Sequence, residues 1–256
     1  MSGAGRKAGG ASRLRQMHHR LMAAYGPQNW WPAKTPFEVI LGAYLTQNTS
    51  WKAVERSLEN LRAARVLTPK GIRGLSVDEL RELIRPSGFV TRKAPAIKAF
   101  LGLLDEQFAG SLQRMAAEPP DLLRARLLEL PGVGPETADA VLLYALGHPV
   151  PVADEYLRRI VERHALAMPP PGKNRRGYDA LIQVTREAFS SEPEAAQRQL
   201  FNEFHALTVA VGKAHCGRKA RCGNCPLAYD LPKGGMRRES TPPIAQAMDG
   251  QARRTQ

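Results

Sequence analysis

Apolar residues recur along this chain at the spacing of one face of a helix and almost nowhere at the alternation of a strand, and this excludes more folds than any other feature. Phe37, Ile40, Leu41, Tyr44 and Leu45 keep that spacing, as do Val54, Leu58 and Leu61, and later Leu122, Leu123, Leu127, Leu128 and Leu130. Breakers fall between the periodic stretches, at Pro86-Ser87-Gly88, Pro119-Pro120, Pro131 to Pro135, Pro149 to Pro151 and Pro169 to Lys173. The pattern predicts an all-α chain of about ten helices with no internal repeat. Residues 1–12 and 232–256, rich in Gly, Ser, Pro, Arg and Gln without apolar periodicity, read as disordered tails, the first of them basic.

A chain of 256 residues can bury a core as one large domain or two smaller ones. Its formal net charge of +13 suits a polyanionic partner such as nucleic acid or an acidic membrane surface. Much of that charge sits in the tails, where basic residues more often serve solubility than recognition, so charge alone does not choose a function. No apolar run approaches the roughly 20 residues of a membrane span, and the Gly/Ala/Arg start lacks the apolar segment of a secretory signal; a cytoplasmic protein is expected. The 3 cysteines, Cys216, Cys222 and Cys225, fall in one short segment. Such clustering argues against a disulfide framework and for a local metal or cluster site in a reducing compartment.

Leu130-Pro131-Gly132-Val133-Gly134-Pro135-Glu136-Thr137-Ala138 joins two helical patterns, 121–129 and 135–146. A bare Gly-x-Gly at such a place is either an αα-corner that needs glycine or a phosphate clamp, in which glycines let the backbone approach and free N–H groups at a helix start face the anion. The full string Leu-Pro-Gly-Val-Gly-x-x-Thr-Ala resembles the helix-hairpin-helix of the endonuclease III superfamily of DNA glycosylases. That resemblance covers roughly residues 13–231. It implies two helical lobes with DNA chemistry in a central cleft: 28–148, six helices with the hairpin, and 13–27 joined to 149–231, with the cysteine loop. It assigns Gly132, Val133, Gly134 and Thr137 to the DNA phosphates.

Val150-Pro151-Val152-Ala153-Asp154 leads into another helical pattern, so Asp154 reads first as an N-cap. In the superfamily an Asp at this offset from the hairpin faces the flipped nucleotide, and Asp154 matches it. An ionised carboxylate there would stabilise the positive charge that grows on the sugar as the N-glycosidic bond breaks, and would orient or deprotonate the attacking water. Bifunctional members carry a lysine two residues after the last hairpin glycine; this chain has Glu136, which cannot form an imine. The resemblance therefore implies base removal by water with the strand left intact. Glu136 itself reads as a favourable acid in a first helical turn.

Trp30-Trp31-Pro32 and Leu45-Thr46-Gln47-Asn48-Thr49-Ser50-Trp51 hold all 3 tryptophans of the chain. Clustered aromatics are usually core. These strings, however, resemble the 3-methyladenine glycosylase branch (type III), in which Trp30, Trp31, Pro32 and Trp51 would lie at the base pocket and Gln47 would fill the gap left by the flipped nucleotide. Indole faces attract a cationic alkylated purine by about 0.5–2 kcal/mol, so selection by stacking is expected.

Cys216-x5-Cys222-x2-Cys225 resembles the superfamily's iron–sulfur loop, but the fourth ligand position is Leu231. A [4Fe–4S] cluster completed by Asp230, His215 or an outside ligand, a three-iron cluster, zinc, or no metal all remain open. Lys213, Arg218, Lys219 and Arg221 are either phosphate contacts or a solvated face, and His164 and His205 read as packing or surface histidines. The reading is a monomeric, monofunctional DNA N-glycosylase acting on damaged double-stranded DNA. A mismatch or oxidised-base glycosylase, a catalytically silent lesion-binding protein and a metal-binding regulator are the alternatives.

Overall fold

The computed structural model describes residues 4–31, 33–167, 171–232 and 235. Its helices are α1 (Ala4–Tyr25), α2 (Pro36–Leu45), α3 (Trp51–Ala63), α4 (Pro69–Gly74), α5 (Val77–Leu83), α6 (Val90–Phe108), α7 (Leu112–Ala116), α8 (Pro120–Glu129), α9 (Pro135–Ala140), α10 (Glu155–Arg163), α11 (Arg175–Ala188) and α12 (Glu194–Ala214). A π-helical turn, Val141–Ala145, continues α9. Among the described residues the sole β pairing is an isolated bridge between Cys216 and Ala220, so the chain is all-α as its periodicity requires.

The helices start where local chemistry lets them. Thr35 accepts the Glu38 N–H and Pro36 follows it in α2, Ser76 closes a capping box with Glu79 in α5, and Asn174 accepts the Gly177 N–H in α11. Two sets of contacts organise the molecule: α2 to α9 and the π turn pack around one another, while α1, α10, α11 and α12 pack together. The π turn also meets α12, and so bridges the sets. Fully buried Ile40, Leu41 and Leu45 of α2 and Leu142 of the π turn fill the first core; Leu14, Met17, Phe189, Phe204 and Leu207 fill the second.

Two expectations need correction. Residues 4–12 belong to α1 rather than to a disordered tail. Ala11 is buried in step with Leu14, Met17 and Leu21, and Gly10 passes so close to the Leu166 carbonyl that a Cβ there would collide with it. The leucines of α8 do not form one stripe: Leu123 and Leu127 enter the core, whereas Leu122 is 53% exposed. Residues 1–3, and nearly all of the second expected tail, lie outside the described residues, as does Pro32.

Candidate active site

Asp154 is the N-cap of α10: its Oδ1 accepts the Leu157 N–H at 2.8 Å. The cap uses Oδ1, and the other oxygen, Oδ2, faces Nε2 of His205 at 4.0 Å. The side chain is only 10% exposed. Burial raises its pKa to about 6, against the pull of the Leu157 and Tyr156 backbone N–H groups; Glu155 adds to the rise and Arg159 opposes it.

His205, on α12, is buried, and its Nδ1 is 2.6 Å from the Tyr144 hydroxyl of the π turn. Burial lowers the imidazole pKa to about 4, so the ring is neutral at physiological pH. His205 is the packing residue that its sequence reading allowed, and that reading did not find Asp154 and Tyr144 as its neighbours. The available signal was a polar ring embedded in the apolar run Phe204-His205-Ala206-Leu207.

The tryptophans do come together. Trp30 and Trp31 have ring centroids 5.3 Å apart, Trp31 meets Trp51 edge-on at 5.5 Å, and Trp30 meets His205 edge-on at 5.5 Å. Tyr144 joins them, 5.2 Å from Trp31. Glu203 of α12 holds this loop in place, its carboxylate accepting the N–H groups of Gln28 at 2.7 Å and Asn29 at 2.9 Å, just ahead of Trp30. A cavity of about 250 Å³ opens beside the cluster, lined by Trp30, Trp31, Tyr144, Lys34, Arg198 and Asn202 among others. Asp154 does not line it; the two connect through Tyr144 and His205.

The hairpin joins α8 to α9. Gly132 takes φ +75°, which favours glycine, while Gly134 is in ordinary extended backbone with nothing near a would-be Cβ. Nothing in the fold thus demands glycine at 134, and its bareness leaves room for an outside group. The expected phosphate set is not uniform: the Val133 N–H is taken by the Leu130 carbonyl at 3.2 Å. Thr137 is buried, and its hydroxyl accepts Nε2 of Gln47 at 2.9 Å. The same Gln47 nitrogen donates to the Gly132 carbonyl at 3.0 Å, so Gln47 rests against the turn. A buried Asp139 locks the hairpin from behind, accepting Arg124 of α8 at 2.6 Å and the Tyr178 hydroxyl of α11 at 2.8 Å. Glu136 is exposed yet hemmed in by surrounding protein. That enclosure raises its pKa to about 8, with Asp154 and Glu155 adding repulsion.

Phe89 escaped the sequence reading. It caps the start of α6 with φ +50° and is 59% exposed. Buried Lys93 ties this corner to the Gln47 turn, donating to the carbonyls of Leu45 at 2.7 Å and Ser87 at 2.8 Å and to the Thr49 hydroxyl at 2.7 Å.

Around the cysteines, the Cys216 sulfur accepts an N–H of Arg163 at 3.0 Å. Leu231 offers no donor atom, and the Asp230 carboxylate is already engaged by Arg13 at 2.7 Å and His164 at 3.2 Å. Among the described residues no group of three His, Cys, Asp or Glu side chains is arranged to hold a metal ion, so the four-ligand cradle of an iron–sulfur cluster is not met. Lys213, Arg218, Lys219 and Arg221 are exposed around this loop. No described helix is long and apolar enough to cross a membrane.

Residues 41–177 match the model of the HhH-GPD superfamily of base excision DNA repair proteins. A candidate DNA repair glycosylase of Methanocaldococcus jannaschii is 40% identical over 209 residues, 81% of this chain and 90% of that protein. A thymine/uracil-DNA glycosylase of Pyrobaculum aerophilum is 31% identical, over 79% of this chain and 82% of its own. Among solved structures, the H. pylori 3-methyladenine DNA glycosylase bound to 1,N6-ethenoadenine superposes with a TM-score of 0.65 at 29% identity, covering 78% of this chain and 97% of that one.

Proposed function

Because this chain belongs to the HhH-GPD superfamily of base excision DNA repair proteins, and is a DNA glycosylase of it, we propose that it is monofunctional, with Asp154 as the catalytic carboxylate and an alkylated purine as the base released. The observation that carries this reading is the division of labour at Asp154: one oxygen is spent on the helix cap, and the other is left in a water-poor site. With a pKa of about 6, the carboxylate is mostly ionised above neutral pH. Breaking the N-glycosidic bond builds positive charge on the deoxyribose, and a nearby anion in a dry site stabilises it more than water would. The same oxygen serves an attacking water as hydrogen-bond acceptor and base. Glu136 occupies the place where an amine would attack the sugar, and its carboxyl cannot form a Schiff base, so the abasic strand is left intact.

Trp30, Trp31 and Trp51 would hold the extruded base by stacking. Pro32 is assigned to the same pocket on the sequence resemblance alone. Gln47 and the exposed Phe89 stand on tied corners beside the hairpin as the groups that enter the duplex, an amide to fill the gap and an apolar wedge to part a step. Gly132, Val133, Gly134 and Thr137 frame the phosphate grip, supplied by the bare Gly134 backbone and the first-turn N–H groups of α9 rather than by the Val133 N–H or the Thr137 hydroxyl. We place the lobes at 28–148 and at 13–27 with 149–231, and read the protein as a monomer. For the cysteine loop we favour a cradle held by Arg163, Arg13 and His164 over a bound cluster. A purified protein without absorbance near the visible iron–sulfur band supports that choice, and a strong band refutes it.

A second reading has a specific observation behind it. Arg198 and Lys34 on the cavity wall disfavour a cationic base, and suit a neutral one such as 1,N6-ethenoadenine or a mismatched thymine. Single-turnover release from duplexes carrying 3-methyladenine, 1,N6-ethenoadenine, a T·G mismatch or thymine glycol decides between them. Fastest release of 3-methyladenine supports the proposal, and fastest release of 1,N6-ethenoadenine supports the second reading. Fastest release of thymine overturns the substrate class, and strand nicking at thymine glycol overturns the monofunctional assignment.

A further inference from the structure

Asp154 has a partner that the catalytic reading leaves unused. Its Oδ2 faces the Nε2 of His205 at 4.0 Å, and the other ring nitrogen meets the Tyr144 hydroxyl at 2.6 Å. The three residues come from the start of α10, from α12 and from the π turn. Both aromatic rings are buried, and both pack against Trp30, with centroids 6.2 Å away for Tyr144 and 5.5 Å for His205.

Elementary electrostatics selects one arrangement of protons. If Nδ1 carried the ring proton, the bare lone pair of Nε2 would face the lone pairs of an ionised carboxylate. With the Tyr144 hydroxyl donating to Nδ1, the proton sits on Nε2 and points at Asp154. We infer that His205, fixed in that tautomer by Tyr144, is a positioning residue for Asp154, aiming and stabilising its free oxygen without placing a second cation beside the sugar. The inference rests on the reading of Asp154 as the catalytic carboxylate. A separation of 4.0 Å is too long for a hydrogen bond in the free protein. It leaves room for one water held by both groups, or for closure when substrate binds.

Neutrality is the useful property. A charged imidazolium would hold the carboxylate more strongly, but it would also repel the positive charge that the carboxylate exists to stabilise. The buried ring resists protonation, its pKa lowered by burial to about 4. The other charged groups facing Asp154 are Glu155 and Arg159 on its own helix and Glu136 on α9, with Glu203 of α12 acting on Tyr144. Glu155 favours the protonated form of Asp154, which makes a neutral donor at Oδ2 more valuable.

The test is the pH dependence of single-turnover base release between pH 5 and 9, on whichever of the four lesion duplexes reacts fastest. Duplex binding is measured in parallel by anisotropy with an abasic-site analogue. His205→Phe is expected to slow release by roughly ten- to hundredfold, with DNA affinity kept and the acid limb moved up by about one pH unit. His205→Gln, which offers an amide N–H at a similar reach, is expected to restore the limb and most of the rate. Tyr144→Phe keeps the packing, and is expected to slow release severalfold by freeing the other tautomer. Wild-type rates and limbs in both His205→Phe and Tyr144→Phe overturn the inference, as does a His205→Gln variant no better than His205→Phe. Should His205→Phe fail to fold, Tyr144→Phe decides alone. Asp154→Asn separates the two levels: if it is inactive while the other variants are normal, only this inference falls, and if it is as fast as wild type the catalytic reading falls with it.

Discussion

The burial of the Asp154 carboxylate costs stability. Its pKa of about 6 in the folded protein exceeds the roughly 3.9 of an unfolded chain, so the folded state holds its proton more tightly. The stability this contributes is complete below pH 4 and is lost as pH rises through 6. Asparagine caps a helix as well as aspartate does and carries no charge. Asp154→Asn is therefore expected to abolish base release yet stabilise the protein at pH 8 by up to roughly 3 kcal/mol, a gain that vanishes near pH 4; urea unfolding at the two pH values measures it. At the neighbouring position, Glu136→Lys puts an amine within electrostatic reach of Asp154. That variant is expected to yield a borohydride-trapped protein–DNA adduct and strand nicking, where the wild type gives neither.

At the scale of elements, the hairpin depends on what stands behind it. Asp139 is fully buried between Arg124 of α8 and Tyr178 of α11. Truncating Arg124 leaves that carboxylate with the Tyr178 hydroxyl and the field of Arg186, so Arg124→Ala is expected to cost about 3 kcal/mol in urea unfolding and to weaken DNA binding by loosening the turn. Leu-Pro-Gly-Val-Gly-Pro was legible in the sequence because its constraints are local: Pro135 sets the start of α9, and glycine permits the φ of +75° found at 132. The first turns of α1 were not legible. Gly9 and Gly10 argue against a helix, and the surface that receives Gly10 is built around Leu166, far along the chain. The leucines of α8 were over-read for the opposite reason, since a run that dense covers more of the helix than one neighbour can bury.

For the whole molecule, charge and assembly are the relevant quantities. The exposed bases around the cysteine loop become phosphate contacts only if the duplex reaches them. The Arg218→Ala/Lys219→Ala double variant tests this, and is expected to flatten the plot of log K against log salt by about 1–2 units of slope. Asp154 and the tryptophans were singled out from strings in the sequence, because each is marked by its immediate neighbours. Residues 144, 154 and 205 have no common string, and only the packing of α10, α12 and the π turn makes them neighbours. One last arrangement bears on how such an enzyme would search a genome. The amide of Gln47 is docked on the Gly132 carbonyl and the Thr137 hydroxyl, on the very loop assigned to hold the strand. If Gln47 is the probe proposed above, an amide parked this way would stay out of intact base pairs during sliding and would have to be unlatched before entering the stack. Undamaged DNA would then meet a smooth surface, and only a site whose pairing is already weak would repay the loss of two hydrogen bonds.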